Sequence, residues 1–376
     1  MAGRATPKGV AAVARIQFLL PSVGPSGGVF SVLRHAEGLA RSGHDVAVVS
    51  MKPPDLRIRE VLPAVVADLP IAVLTSDGLP PADVQVATHF TTVPIVGQAS
   101  GALKVHFMQH LEELFAVDEP DPGSFVEAAR YCYRLPLYRL ANSRWLQGQY
   151  ERLYGSRPTL VHNGVDAPDD GPLADWPSGP IVVMSSAQTF LWKGAREAFG
   201  TMELVRAALP SRDVQWQVFG NADRIPERPW IHRLGTVPHD ELRQHYRQAH
   251  VVLSVSWAES YPLPVLEAMA AGTAVVTQPI GTEDFAREGD TASVVSSRDV
   301  DAAARAVVRV LLAGEAASRP MRERARREAA QHSWARATAQ MVQALDRGAT
   351  EWHPPEPARV TERLLERLGL PSATTQ

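Results

Sequence analysis

The feature that most constrains this chain is a double series of short apolar runs alternating with helix-period stretches, broken by one segment with no apolar period. In the first series, Arg15 to Leu20 is followed by a glycine-rich turn (Gly24, Gly27, Gly28), a helix-period stretch Val29 to Arg41 and a second run, Asp45 to Ser50. That is a β-α-β unit. Strand-like runs at Ile71 to Thr75, Val84 to His89, Lys104 to Gln109 and Thr159 to Asn163 extend it. The intervening DAPDDGPLADWPSGP, residues 166–180, reads as a linker. Beyond it the alternation restarts with strands from Ile181, Val214, Ile231, Val251, Ala274 and Ala292, and helices from Lys193, His239 and Pro262. Such alternation builds parallel sheets covered on both faces, and 376 residues suffice for two cores. The expected class is therefore α/β, with two Rossmann-like doubly wound domains, 1–165 and 181–347, joined by 166–180. The tail 348–376 could pack back on the first.

Apolar residues make up 45% and charged residues 21%, values of a folded chain. The formal net charge of -3 gives no overall pull toward nucleic acid and favours small-molecule chemistry. A single cysteine, Cys132, excludes an intramolecular disulfide and a cysteine-cluster metal site, and reads as a small buried hydrophobe. Arg15 interrupts the first apolar stretch before it reaches signal-peptide length, so a cytoplasmic protein is expected. No basic amphipathic stretch decides membrane association either way. Arg319 to Arg327, interleaved with Glu323, suits a solvated helix face.

Open parallel sheets bind ligands at the carboxyl ends of their strands, and two such domains are expected to face a central cleft. The most specific strand-end string is Glu259-Ser260-Tyr261-Pro262-Leu263-Pro264-Val265-Leu266-Glu267, followed by Ala268-Met269-Ala270-Ala271-Gly272. Prolines at 262 and 264 fit only the first turn of a helix, which places Glu259 in the loop before it and Glu267 about one turn in. A helix N-terminus suits a pyrophosphate, and flanking carboxylates suit sugar hydroxyls. Asp299-Val300-Asp301 spells a metal-binding motif but precedes an alanine-rich helix, where N-capping explains it; no metal is expected. Gly24 to Gly28 lacks the spacing of a dinucleotide fingerprint.

These residues resemble the family-4 retaining glycosyltransferases of GT-B architecture, which carry two glutamates separated by seven residues and followed by Ala-Met-Ala-x-Gly. The resemblance extends to the Gly27-Gly28 loop, Gly43-His44-Asp45-Val46, Asn142-Ser143, His162-Asn163-Gly164-Val165-Asp166 and Lys193-Gly194. It implies that Glu259 contacts the transferred sugar and Glu267 the ribose, and that Lys193 neutralises the departing diphosphate. It further implies that Gly27, Gly28, Gln188, Ser260, Tyr261, Pro262 and Leu263 line the donor site. His110 lies where the family places a histidine near the transferred sugar, and His89 and Glu112 are candidates for the acceptor, although Glu112 and Glu113 could simply be solvated. The catalytic set is thus His110, Glu259 and Lys193. Two departures stand out: Gln188 occupies a position where the family usually has arginine, and Pro262 one where it usually has glycine.

The implied reaction is transfer of a hexosyl or deoxyhexosyl group from a nucleotide diphosphate sugar to a hydroxyl of a glycan, lipid or natural product, keeping the anomeric configuration. It needs no cofactor beyond the sugar nucleotide co-substrate, and no nucleic acid partner. A nucleotide-sugar epimerase of the same architecture, or a non-catalytic sugar-nucleotide-binding protein, are the competing readings, and acceptor-dependent turnover separates them.

Overall fold

The computed structural model describes residues 13–353 except 63, 64, 66, 68, 169 and 170. The chain divides into two compact units: residues up to Asn163 together with those from Trp334 onward, and Gly164–Ser333.

The first unit is a parallel sheet of β1 (Arg15–Leu20), β2 (Asp45–Ser50), β3 (Ile71–Val73), β4 (Ala82–Ala87), β5 (Gly101–Met108), β6 (Tyr138–Ala141) and β7 (Thr159–Leu160), in the order β3-β2-β1-β4-β5-β6-β7. Runs such as IQFLL and VQVA are apolar on both faces because helices cover both. On one face Ile16, Phe18, Val84, Val105 and Phe107 pack with Val32, Leu33 and Leu39 of the helix Gly27–Arg41. On the other, Leu19, Ala87 and Met108 pack with Ala129, Tyr133 and Leu146.

The second unit repeats the plan with β8 (Ile181–Ala187), β9 (Val214–Gly220), β10 (Ile231–Gly235), β11 (Val251–Leu253), β12 (Ala274–Thr277) and β13 (Ser293–Val294), in the order β10-β9-β8-β11-β12-β13. All pairings in both sheets are parallel. Strand order reverses direction beside β1 in the first sheet and beside β8 in the second. Each reversal opens a crevice at the strand carboxyl ends.

Four expectations need correction. The tetrapeptide YRLA is a strand although Arg139 breaks its apolar run. Arg139 is nonetheless buried, and its guanidinium donates to the Cys132, Tyr133, Leu135 and Leu137 carbonyls and the Tyr150 hydroxyl. The stretch 166–180 is not a free linker. Leu173 is buried, Trp176 joins the second core, and Arg319, Arg322 and Arg326 donate to the carbonyls of Leu173, Ala174 and Gly171. Those arginines lie on the helix Val300–Ala330 and form a clamp rather than a solvated face. Finally, the second unit stops at Ser333 instead of 347. The helix Trp334–Glu351 belongs to the first unit, where Met341, Ala344 and Leu345 join the core and Ala349 and Trp352 pack against it. Residues 354–376 of the expected tail lie outside the described residues.

Candidate active site

The crevice of the second unit lies between the loops that leave β8 and β11. From β8, a loop holding Gln188 leads through a single turn, Leu191–Lys193, to Gly194 and the helix Ala195–Ala208. Gly194 has φ +70°, and a Cβ there would come within 2.2 Å of the Val255 carbonyl oxygen, so no other residue permits this approach to the second loop. The two loops are also stitched by hydrogen bonds. The Trp257 amide donates to the Trp192 carbonyl at 2.7 Å, and the Ser256 hydroxyl to that of Lys193 at 3.4 Å.

This stitching brings two of the sequence-derived candidates together. Lys193 Nζ lies 2.7 Å from Glu259 Oε1, with both side chains partly exposed, and 4.3 Å from the Trp192 ring centroid. A cation and a carboxylate from different loops therefore meet at one point of the carboxyl edge.

Pro262 precedes the helix Leu263–Ala271 as its cap residue, and Pro264 occupies its first turn, as the proline spacing requires. Ser260, Tyr261 and Leu263 are buried, and the Tyr261 hydroxyl is hydrogen-bonded to His332 Nδ1 at 2.6 Å. Glu267 accepts from the Tyr246 hydroxyl at 3.1 Å and lies 3.9 Å from His239 Nδ1, whose Nε2 is 2.9 Å from Asp166. Burial raises the Glu267 pKa above the ordinary carboxylate value, against the opposing pull of His239. Tyr246 and His239 carried no signal in sequence, because only the tertiary fold brings the helix His239–Gln248 against Glu267. Asp299 caps its helix, accepting from the Ala302 amide at 2.8 Å.

In the first unit, Gly27 and Gly28 open the helix Gly27–Arg41 rather than a turn, with Ser26 as cap. Gln109, at the end of β5, donates to the Gly28 carbonyl at 3.0 Å. His110 follows, its ring 4.1 Å from that of Phe115 and its Nδ1 accepting from the Leu111 amide. His89 caps the turn Phe90–Thr92, and burial lowers its pKa despite the opposing charge of Glu112. Glu112 and Glu113 are both buried, contrary to the solvated reading. Glu112 accepts from the Tyr133 hydroxyl, which in turn accepts from the Glu112 amide at 2.7 Å, and Arg130 pairs with Glu113 at 2.5 Å. Glu112 is thus engaged with the protein rather than presented to an acceptor. Cys132 is buried and its thiol is pushed up to about 12, as a small hydrophobe requires. No helix among the described residues is long and apolar enough to cross a membrane.

Residues 179–313 match the family model described as glycosyl transferases group 1. Among curated proteins, the chain is 29% identical over 215 residues to glycogen synthase of Mycobacterium tuberculosis strain H37Rv, covering 52% of this chain and 50% of that protein. It is 32% identical over 132 residues to O-antigen chain mannosyltransferase B of Escherichia coli, covering 35% and 33%. The chain thus spans half or less of the length of these relatives. A solved structure of Anabaena HepE in complex with UDP-glucose superposes with a TM-score of 0.71 at 16% identity, covering 88% of this chain and 99% of that one. The chain therefore has the GT-B fold, built of two doubly wound parallel-sheet units, and its residues 179–313 match the glycosyl transferases group 1.

Proposed function

We propose that this protein is a retaining glycosyltransferase that moves a hexosyl or deoxyhexosyl group from a nucleoside diphosphate sugar to an acceptor hydroxyl. The observation that carries the reading is the Lys193–Glu259 pair at the β8/β11 crevice, beside the N-terminus of the helix Leu263–Ala271. Both side chains of the pair keep some exposure, so a charged ligand can reach and exchange with it. An arriving diphosphate draws the Lys193 ammonium away from Glu259, and the freed carboxylate accepts hydrogen bonds from sugar hydroxyls. The match of 179–313 to group 1 glycosyl transferases and the UDP-glucose held by HepE agree with a sugar nucleotide as donor.

In the reaction, the bond from the anomeric carbon to the diphosphate oxygen breaks and the diphosphate leaves with the electron pair. The acceptor oxygen bonds to that carbon from the same face, and its proton passes to the leaving phosphate oxygen. Lys193 and the helix N-terminus stabilise the charge building on the diphosphate, which is the main task when the leaving group is already good. Buried Glu267 is suited to a ribose hydroxyl, and His110 to a place beside the sugar.

NMR of the product formed from a donor of known anomeric configuration tests the reading, run with the wild type and Glu259→Ala. The expected outcome is a product of unchanged configuration from the wild type and loss of transfer in the variant with its unfolding midpoint preserved. An inverted product refutes the same-face mechanism, and near-normal turnover in Glu259→Ala refutes the site.

A further inference from the structure

Lys193 is already engaged before any ligand arrives at the β8/β11 crevice. Lys193 is cancelled by Glu259, and Gln188 on the same loop is neutral. A diphosphate brings several negative charges, more than the one paired ammonium of Lys193 offsets.

One arginine on the same edge has unusual placement. Arg298, four residues after β13, is the only non-glycine among the described residues with a left-handed backbone, at φ 62°. Such a conformation is unfavourable for a residue with a Cβ and persists where its surroundings over-determine it. Those surroundings are visible. In the carboxamide orientation that satisfies all its neighbours, buried Gln278 accepts from the Arg298 amide at 3.0 Å and donates to the Ser256 carbonyl at 2.9 Å. The β13 turn is thereby tied to the loop that carries Glu259. The Arg298 guanidinium carbon lies 4.1 Å from the Trp257 ring centroid, and the Trp257 amide is bonded to the residue preceding Lys193. Stacking on an aromatic face leaves the in-plane N–H groups of a guanidinium directed outward. Its sequence neighbour Asp299 is occupied in capping a helix, and Arg298 itself has no acidic partner among the described residues.

We propose that Arg298, held on Trp257 by the Gln278 bridge, is a second cation for the diphosphate of the sugar nucleotide, acting together with Lys193. This rests on the glycosyltransferase reading above.

Arg298→Gly is the informative variant, because glycine adopts the left-handed backbone without strain and removes only the side chain. The binding of the best-bound member of UDP, GDP, dTDP and ADP is measured by calorimetry beside its matching nucleoside, at low and high salt. The expected result is a loss of about tenfold or more for the diphosphate, the scale of one charge-assisted hydrogen bond, with the nucleoside unaffected. The salt dependence of diphosphate binding should become shallower, and Arg298→Lys should recover part of the affinity. Unchanged diphosphate affinity in Arg298→Gly, or equal losses for diphosphate and nucleoside, overturns the role of Arg298. If the wild type binds none of the four diphosphates, the failure lies with the glycosyltransferase reading instead.

Discussion

Glu267 is a carboxylate whose burial works against its own ionisation. Its carboxyl is buried against Tyr246 and His239, and burial raises its pKa. The native state therefore favours the protonated form, so the stabilisation is present below the unfolded value of about 4.3 and is lost as pH rises through the raised native value. Glu267→Gln keeps an acceptor for the Tyr246 hydroxyl and has no charge to desolvate. Its unfolding midpoint should match the wild type in acid and exceed it by a few degrees as pH rises past the raised native value, while nucleoside affinity falls. A melting series from pH 4 to 8 checks this, and a variant less stable at neutral pH would show that the ionised pair with His239 outweighs desolvation. The identity of such residues was legible in sequence to different degrees. Glu259 and Glu267 stand in one linear motif and Lys193 in a separate Lys-Gly pair, and Lys193 and Glu259 meet in the fold. Arg298 and Gln278 do not, because only the order of β11, β12 and β13 in the sheet brings them to the Glu259 loop.

At the scale of elements, periodicity identifies strands and helices but not what they pack against. The strand runs around Arg15, Asp45, Ile181 and Ala274 were readable because a doubly covered strand is apolar throughout. Tyr138–Ala141 was not, since a buried arginine satisfied by helix-end carbonyls looks polar in sequence. The segment 166–180 misleads for the converse reason: it has no period of its own, and its order is imposed by arginines some 150 residues later. Arg322 is the centre of that clamp, buried, with its guanidinium on the Gly272 and Ala174 carbonyls and on Glu315. Arg322→Ala leaves these acceptors without their donor inside the protein and should reduce stability by about 3 kcal/mol. Arg319→Ala, whose carboxylate partner Asp175 is largely exposed, should cost about 1 kcal/mol or less. Urea unfolding of the two variants measures the contrast, and equal losses would mean that the clamp works through surface charge.

For the whole molecule, the consequential fact is that the first unit is assembled from both ends of the described chain. Helix Trp334–Glu351 carries an apolar stripe that includes Ala337, Met341, Ala344 and Leu345. What assigns it to the first is complementarity: Trp334 packs edge-on against His35 and Phe30, and Gly348 lies beneath the Tyr138 ring. The tightest fit is at Gly38, in the helix Gly27–Arg41, where a Cβ would fall 2.0 Å from the Thr338 hydroxyl oxygen. Glycine inside a helix normally destabilises by about 0.5–1 kcal/mol relative to alanine, so its presence here follows from the approach of the last helix. Gly38→Ala should therefore destabilise despite its better helix propensity, because the two helices must separate or Thr338 must leave its rotamer. Thr338→Ala removes the obstructing hydroxyl, and in that background Gly38→Ala should become neutral or stabilising. The sign of the Gly38→Ala effect thus reverses with residue 338, a coupling that unfolding midpoints of the two single variants and the double variant read directly. Additive effects would mean that the helices do not meet at this point in solution, and that the last helix is held to the first unit by its apolar stripe alone.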